Sequence, residues 1–210
     1  MSGPRPPLET IREYDARIAV LVSGQGSNCQ ALIESELPVS VVVRTNQRIA
    51  ARVTRVAQEW GVRQVKMHRA AYSRAVFDKH LLEELPPEDY DLILLAGWRY
   101  VLGTEFVAAY PGRILNIHPS LLPAHRGLFG PKVHQSVMRA GDRESGCTVH
   151  IVTDELDAGP ILGQARLDIT PEDTSVSLAL RVLALEHELY PKVVKQYLAK
   201  LSPRGTAVTV

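Results

Sequence analysis

The sequence predicts a single-domain α/β protein with a Rossmann-like, mostly parallel twisted sheet and helices on both faces. Short apolar runs alternate with longer amphipathic ones, the pattern of parallel strands covered by helices. The most apolar run, Asp91 to Ala96 (DLILLA), has the length of a strand buried on both faces. The chain of 210 residues is long enough for one substantial core and short for two.

Taken in order, Arg17 to Ser23 (RIAVLVS) reads as a buried strand, the loop GQGSN follows, and Cys29 to Glu34 begins a helix. Val39 to Val43 is a second strand, Gln47 to Trp60 a helix by periodicity, and Val65 to Met67 a short strand. Ser73 can cap a helix over Arg74 to Glu84, and DLILLA follows it. Ile114 to His118 is a strand stopped by Pro119, which lacks a ladder donor and holds its predecessor in extended geometry. Lys132 to Ala140 is helical by pattern, and Thr148 to Val152 (TVHIV) alternates as a strand. Ile161 to Ile169 is a strand after the turn DAGP, and Ser175 to Lys200 is one long helix, with Pro191 a place for a bend.

Residues 1–16 and 201–210, rich in Pro, Gly, Ser and Thr, are expected to be flexible extensions of a domain spanning 17–200. Met1 to Ala16 lacks the apolar core of a signal peptide, and no later run is long enough to span a bilayer, so a cytoplasmic protein without membrane contact is expected. The formal charge of +1 is spread along the chain, which disfavours a nucleic-acid partner. The two cysteines, Cys29 and Cys147, lack CxxC spacing, and His125, His134 and His150 lack a metal-ligand spacing, so reduced packing thiols and no metal are expected.

In open α/β sheets ligands sit beyond the carboxyl ends of the strands, and four polar groups gather there. In Ser23-Gly24-Gln25-Gly26-Ser27-Asn28, glycines allow close backbone approach and helix-start amides can hold a phosphate; a simple capped turn is the plainer reading. A dinucleotide site would want a glycine where Cys29 stands and an acid where Arg44 stands, so a monophosphate is the better fit. Asn116 and His118 lie two residues apart on one strand and so project from one face at its carboxyl end. A carboxamide can donate to a developing oxyanion, and an imidazole can move protons or, when charged, assist the same oxygen. The turn Asp154 to Pro160 offers Asp157 as a carboxylate beside that imidazole, or as an ordinary turn residue. Glu186, on the last helix, is either a ligand for a substrate amine or hydroxyl or a solvated helix charge.

The segments VLVSGQGSNCQALI, LLAGWRYVL, ILNIHPSLLP, GCTVHIVTDELDAGPI and ALEHELYP stand in the order found in the phosphoribosylglycinamide formyltransferase family, which the chain resembles from Ile18 to Leu198. The resemblance implies a one-carbon transferase of purine synthesis that moves the formyl group of 10-formyltetrahydrofolate to the amine of 5′-phosphoribosylglycinamide. It implies Asn116, His118 and Asp157 as catalytic, Gly26, Ser27 and Asn28 as the phosphate grip, and Glu186 as a contact to the glycinamide portion. Folate contacts would come from Arg74, from Trp98, Arg99, Tyr100, Val101 and Leu102, and from Asp154. The implied partners are small molecules alone, with the chain a monomer or homodimer.

The chain departs from the family pattern in AHRGLFGPKVH after HPSLLP, in Arg99 and Tyr100 where methionine and arginine are commoner, and in Leu183 at a position often polar. Other folate-dependent readings are a deformylase, methionyl-tRNA formyl transfer and sugar-nucleotide formyl transfer; the first two usually carry extra domains, which are not expected here. The rival from a different class is a noncatalytic nucleotide-binding regulator on the same sheet.

Overall fold

The computed structural model describes residues 16–45 and 51–201. Residues 1–15 and 202–210 of the expected terminal extensions, and the expected helix start at Gln47, lie outside that set, whereas Ala16 and Leu201 pack against the core. Seven strands run β1 Ile18–Val22, β2 Val39–Arg44, β3 Arg63–Lys66, β4 Leu92–Leu95, β5 Ile114–His118, β6 Glu144–Ile151 and β7 Ile161–Asp168. The described helices are α1 Ser27–Glu34, α2 Ala51–Glu59, α3 Arg74–Glu84, α4 Thr104–Ala109, α5 Pro131–Ala140 and α6 Ser175–Leu198.

The strands form one sheet in the order β3-β2-β1-β4-β5-β6-β7. All pairings from β3 through β5 are parallel, whereas β6 runs antiparallel to both β5 and β7. β1 and β4 are buried at every residue, as central parallel strands must be when helices cover both faces. Their side chains alternate between two cores. Ile18, Val20 and Val22 join Leu92 and Leu94 against α1, α2 and α6, while Ala19 and Leu21 join Ile93 and Leu95 against α3 and α4.

Tyr190, fully buried on α6, anchors that helix by donating its hydroxyl to the Leu115 carbonyl at 2.9 Å and the Leu95 carbonyl at 3.3 Å. The helix continues through Pro191, and Thr174 caps its start by accepting from Ser177 N–H. Ser73 caps α3 as its sequence position suggests, accepting from Val76 N–H at 3.3 Å.

β3 runs Arg63–Lys66 where Val65 to Met67 was expected, and α4 and β6 differ further from the sequence reading. α4 is a single six-residue segment, too short to show helical periodicity, and is held by fully buried Phe106. β6 begins at Glu144 rather than Thr148 because pairing with β7 extends through Ser145 and Gly146, residues of low strand propensity. Gly146 belongs there for a steric reason: a Cβ would lie 1.9 Å from the Ala165 carbonyl oxygen and 2.8 Å from Leu121 Cδ2.

Because β1 pairs with β2 on one side and β4 on the other, successive connections leave in opposite directions and open a crevice at the carboxyl ends of β1 and β4. The turn after β1 and the segment after β4 flank it, tied where Ser23 Oγ donates to Gly97 O at 3.0 Å and accepts from Arg99 N–H at 2.8 Å. The steric account predicts that Gly146→Ala destabilises the fold by about 2–3 kcal/mol, since backbone must move. Gly141→Ala, a left-handed C-cap with open space around it, should cost about 1 kcal/mol. Urea denaturation of the two variants checks the order.

Candidate active site

Asn116 and His118 lie on the same face of β5, and the antiparallel register sets Asn116 opposite His150 and His118 opposite Thr148. The chain then leaves β6, turns through residues 152–160 and brings Asp157 back to the strand tip. His118 Nδ1 stands 3.4 Å from Asp157 Oδ2, with both side chains at least nine-tenths buried. The same oxygen accepts from Gly127 N–H at 2.9 Å, so the loop after β5 fixes the carboxylate from the far side. Asp157 has a φ of 51°, a left-handed conformation that aspartate tolerates better than most residues.

Asn116 Nδ2 lies 3.1 Å from His150 Nε2, and His150 Nδ1 lies 3.0 Å from the Ile151 carbonyl. Both bonds are satisfied by a neutral imidazole carrying its proton on Nδ1, which donates to Ile151 while Nε2 accepts from the carboxamide. Burial lowers the His150 pKa and so keeps that neutral form. One carboxamide hydrogen is thereby committed to His150, which orients the other and the oxygen. His150 also sits 3.7 Å from Asp157 Oδ1, so it adjoins both expected catalytic polar groups. Its signal was present in TVHIV, where alternation turns it to one face, but only the β5–β6 register shows what it meets.

Burial also lowers the His118 pKa, partly offset by the Asp157 charge and reinforced by neighbouring His150. The resting imidazole is therefore neutral at pH 7, with Nε2 buried and without a partner among the described residues. That nitrogen is free to serve a ligand. The loop that covers it is itself built in: Thr148 Oγ1 donates to Ser120 O at 2.7 Å and accepts from Leu122 N–H at 3.0 Å, and Gln164 donates to Leu122 O at 2.9 Å.

At the other end of the crevice, Gly26 is the left-handed N-cap of α1, with φ of 81°. A Cβ there would lie 2.0 Å from Val53 Cγ2. The helix starts at Ser27, two residues before the sequence reading, and no side chain caps it, which leaves its first amides for a ligand. Asn28, buried in the first turn, donates through Nδ2 to Glu186 Oε2 at 2.7 Å, joining two expected substrate contacts across 158 positions. Glu186 is not a solvated helix charge: burial pushes its carboxyl up to about 7, against the opposing pull of the Asn28 bond. Arg44 is buried and bonded to Thr54, so it does not extend toward a nucleotide's 2′-phosphate.

The expected folate residues separate into groups. Trp98 and Tyr100 meet edge to face with ring centroids 5.3 Å apart, and Trp98 also contacts Phe77. Arg74 begins α3 and is exposed, as are Arg99 and Val101. Leu102, by contrast, is buried in the core beneath α3 and α4, so it supports the segment from below. Asp154 is exposed on the acidic turn, three residues from Asp157. Among the described residues no group of three or more acidic, His or Cys side chains could hold a metal, and no helix is long and apolar enough to cross a membrane.

The model of the formyl transferase domain matches residues 16–194. The chain belongs to the formyltransferase family. Phosphoribosylglycinamide formyltransferase of Escherichia coli is 37% identical over 185 residues, covering 86% of both chains. The Bacillus subtilis enzyme of the same name is 36% identical, with 90% of this chain and 97% of that one aligned. The trifunctional purine biosynthetic protein adenosine-3 of Drosophila melanogaster is 40% identical over 84% of this chain, but the match spans only 13% of that protein. In structure, glycinamide ribonucleotide transformylase 1 of Symbiobacterium toebii superposes with a TM-score of 0.81 at 39% identity, covering 90% of this formyltransferase and 91% of that one.

The raised Glu186 pKa carries a stability prediction. A carboxyl whose pKa rises on folding contributes stability that is complete below its unfolded value near 4.5 and is lost as pH rises through about 7. Glu186→Gln keeps an acceptor for Asn28 and removes the titration. Its unfolding free energy should gain on the wild type as pH rises from 5 to 8, by on the order of 3 kcal/mol. Parallel pH profiles from denaturant unfolding measure the difference, in which the oppositely signed histidine contributions cancel.

Proposed function

We propose that this formyltransferase moves the formyl group of 10-formyltetrahydrofolate to the amine of 5′-phosphoribosylglycinamide, acting in the cytosol on small molecules. The observation that carries the reading is the buried His118–Asp157 pair beside a carboxamide already oriented by His150. The substrate phosphate is assigned to the uncapped start of α1 at Gly26, Ser27 and Asn28, and the glycinamide portion to Glu186. The folate is assigned to the crevice along Trp98 to Leu102, with Arg74 and Asp154 at its rim.

The amine nitrogen attacks the formyl carbon, forming a C–N bond and a tetrahedral oxyanion. Asn116 donates its remaining N–H to that oxygen. His118, neutral at rest, becomes a stronger base as negative charge develops within reach and as Asp157 stabilises the imidazolium. It accepts the proton leaving the amine and, as imidazolium, assists the oxyanion. Collapse breaks the bond between the formyl carbon and folate N10, and the proton passes to that nitrogen. Every step uses this chain's own side chains.

Incubation with phosphoribosylglycinamide and 10-formyltetrahydrofolate, followed by mass spectrometry, tests the reading. One added formyl on the ribonucleotide is expected. Release of formate with the amine unchanged would instead make water the nucleophile and the protein a deformylase; retained ligand without either product would make it a regulator. Asn116→Ala should lower kcat by about a hundredfold, the roughly 3 kcal/mol associated with one oxyanion donor. Full turnover by that variant would remove Asn116 from the chemistry.

A further inference from the structure

Arg69 lies outside every segment assigned above, in the 3-10 turn Arg69–Ala71 that precedes α3. Its guanidinium is placed with unusual definition for a half-buried arginine. The Cζ atom sits 5.3 Å from the Phe77 ring centroid and 5.5 Å from that of Tyr100, and Nη1 donates to the Tyr72 carbonyl at 2.8 Å. Stacking on two rings and a backbone bond fix the plane of the group while leaving its other N–H donors without a partner among the described residues. Tyr100 in turn meets Trp98, so Arg69 rests on the aromatic segment that lines the crevice after β4.

The charges around it are not paired off. Arg69 and Arg74 both act electrostatically on Asp78, a buried carboxyl, and one of its oxygens already accepts from Gly103 N–H at 2.8 Å. Arg74 also stands in the first turn of α3, which carries no acidic residue, so its charge opposes the helix dipole. Both cations thus lie near the carboxyls of Asp78 and Glu105, yet neither forms an ion pair among the described residues, which leaves both guanidinium groups able to meet a bound anion. Around them Tyr72, Val76, Tyr100 and Val101 are all large apolar side chains more than a third exposed. An apolar rim carrying fixed guanidinium groups suits a ligand with an aromatic ring that ends in carboxylates.

We propose that Arg69, braced by Phe77 and Tyr100, binds a carboxylate of the folate's glutamyl tail and, with Arg74, sets the preference of this enzyme for folates over their pteroate cores. This inference rests on the folate reading of the crevice. Tyr100 then serves as the platform for the cation, and the p-aminobenzoyl ring lies along the exposed apolar rim. No bond is made or broken at Arg69, so its contribution falls on affinity for the co-substrate and not on the chemical step.

The test is calorimetric titration of the full chain with tetrahydrofolate and, separately, with tetrahydropteroate, which lacks the glutamate. Arg69→Ala should weaken tetrahydrofolate binding by about tenfold or more, the loss of one charge-assisted contact, while leaving tetrahydropteroate affinity unchanged. Arg69→Lys, which keeps the charge but not the planar fork, should fall between. In turnover, the KM for 10-formyltetrahydrofolate should rise with kcat and the KM for phosphoribosylglycinamide within twofold of wild type. Equal weakening toward both ligands would show that Arg69 only supports the crevice, and unchanged tetrahydrofolate affinity would show that it binds nothing; either overturns the assignment. A wild type that binds no tetrahydrofolate would fail earlier and would remove the folate reading itself.

Discussion

The antiparallel ladder between β5 and β6 sets His150 across from Asn116, and the turn that follows β6 returns Asp157 to within 3.4 Å of His118. Because β6 runs antiparallel, the turn after it starts beside Ile114, at the foot of β5, and folds back along that strand to reach His118. Reversing the chain direction at one place in an otherwise parallel sheet therefore concentrates a carboxamide, two imidazoles and a carboxylate at one strand end. The loop from Pro119 to Gly130 completes the enclosure through Gly127 N–H on Asp157 and through the bonds of Thr148 and Gln164.

Burial acts on the two halves of the crevice in opposite chemical senses with a common result, since in each it favours the neutral form. At His118 it lowers the pKa against the pull of Asp157, which leaves a base ready to take a proton. At Glu186 it raises the pKa to about 7, which leaves a carboxyl next to Asn28 that can take up a proton when a phosphate binds at the start of α1. The acidic and basic groups thus reach neutral pH poised to change charge when a charged ligand arrives. The same burial strengthens each interaction once it forms, because little solvent is left to screen it.

Much of this was legible in the amino-acid sequence. The buried runs RIAVLVS and DLILLA, the spacing of Asn116 and His118, and the stop at Pro119 each follow from local rules of strand geometry and proline sterics, and the structure has the corresponding strands. His150 was not legible as a site residue, because its significance depends on which residue of β5 it faces, and register is a property of two strands at once. Asn28 and Glu186 were each site candidates in the sequence, but their contact was not legible because it joins helices far apart in the chain, nor was the role of Arg69, whose stacking partners lie in two other segments. α4 was missed for a different reason: six residues complete too few turns for periodicity to register. Leu102 was expected to touch folate with its neighbours; unlike exposed Arg99, Tyr100 and Val101, its side chain packs into the core, which leaves its backbone for that contact.

The electrostatic coupling of His118 to Asp157 is most directly tested by NMR titration of the His118 imidazole in the wild type and in Asp157→Asn, a replacement of equal size that tolerates the left-handed backbone at position 157. The account predicts a wild-type pKa below the free-imidazole value of about 6.5, set by burial, and a still lower one in the variant, where the carboxylate charge is gone. A wild-type value at or above that of free imidazole, or a variant that titrates as the wild type does, would contradict it.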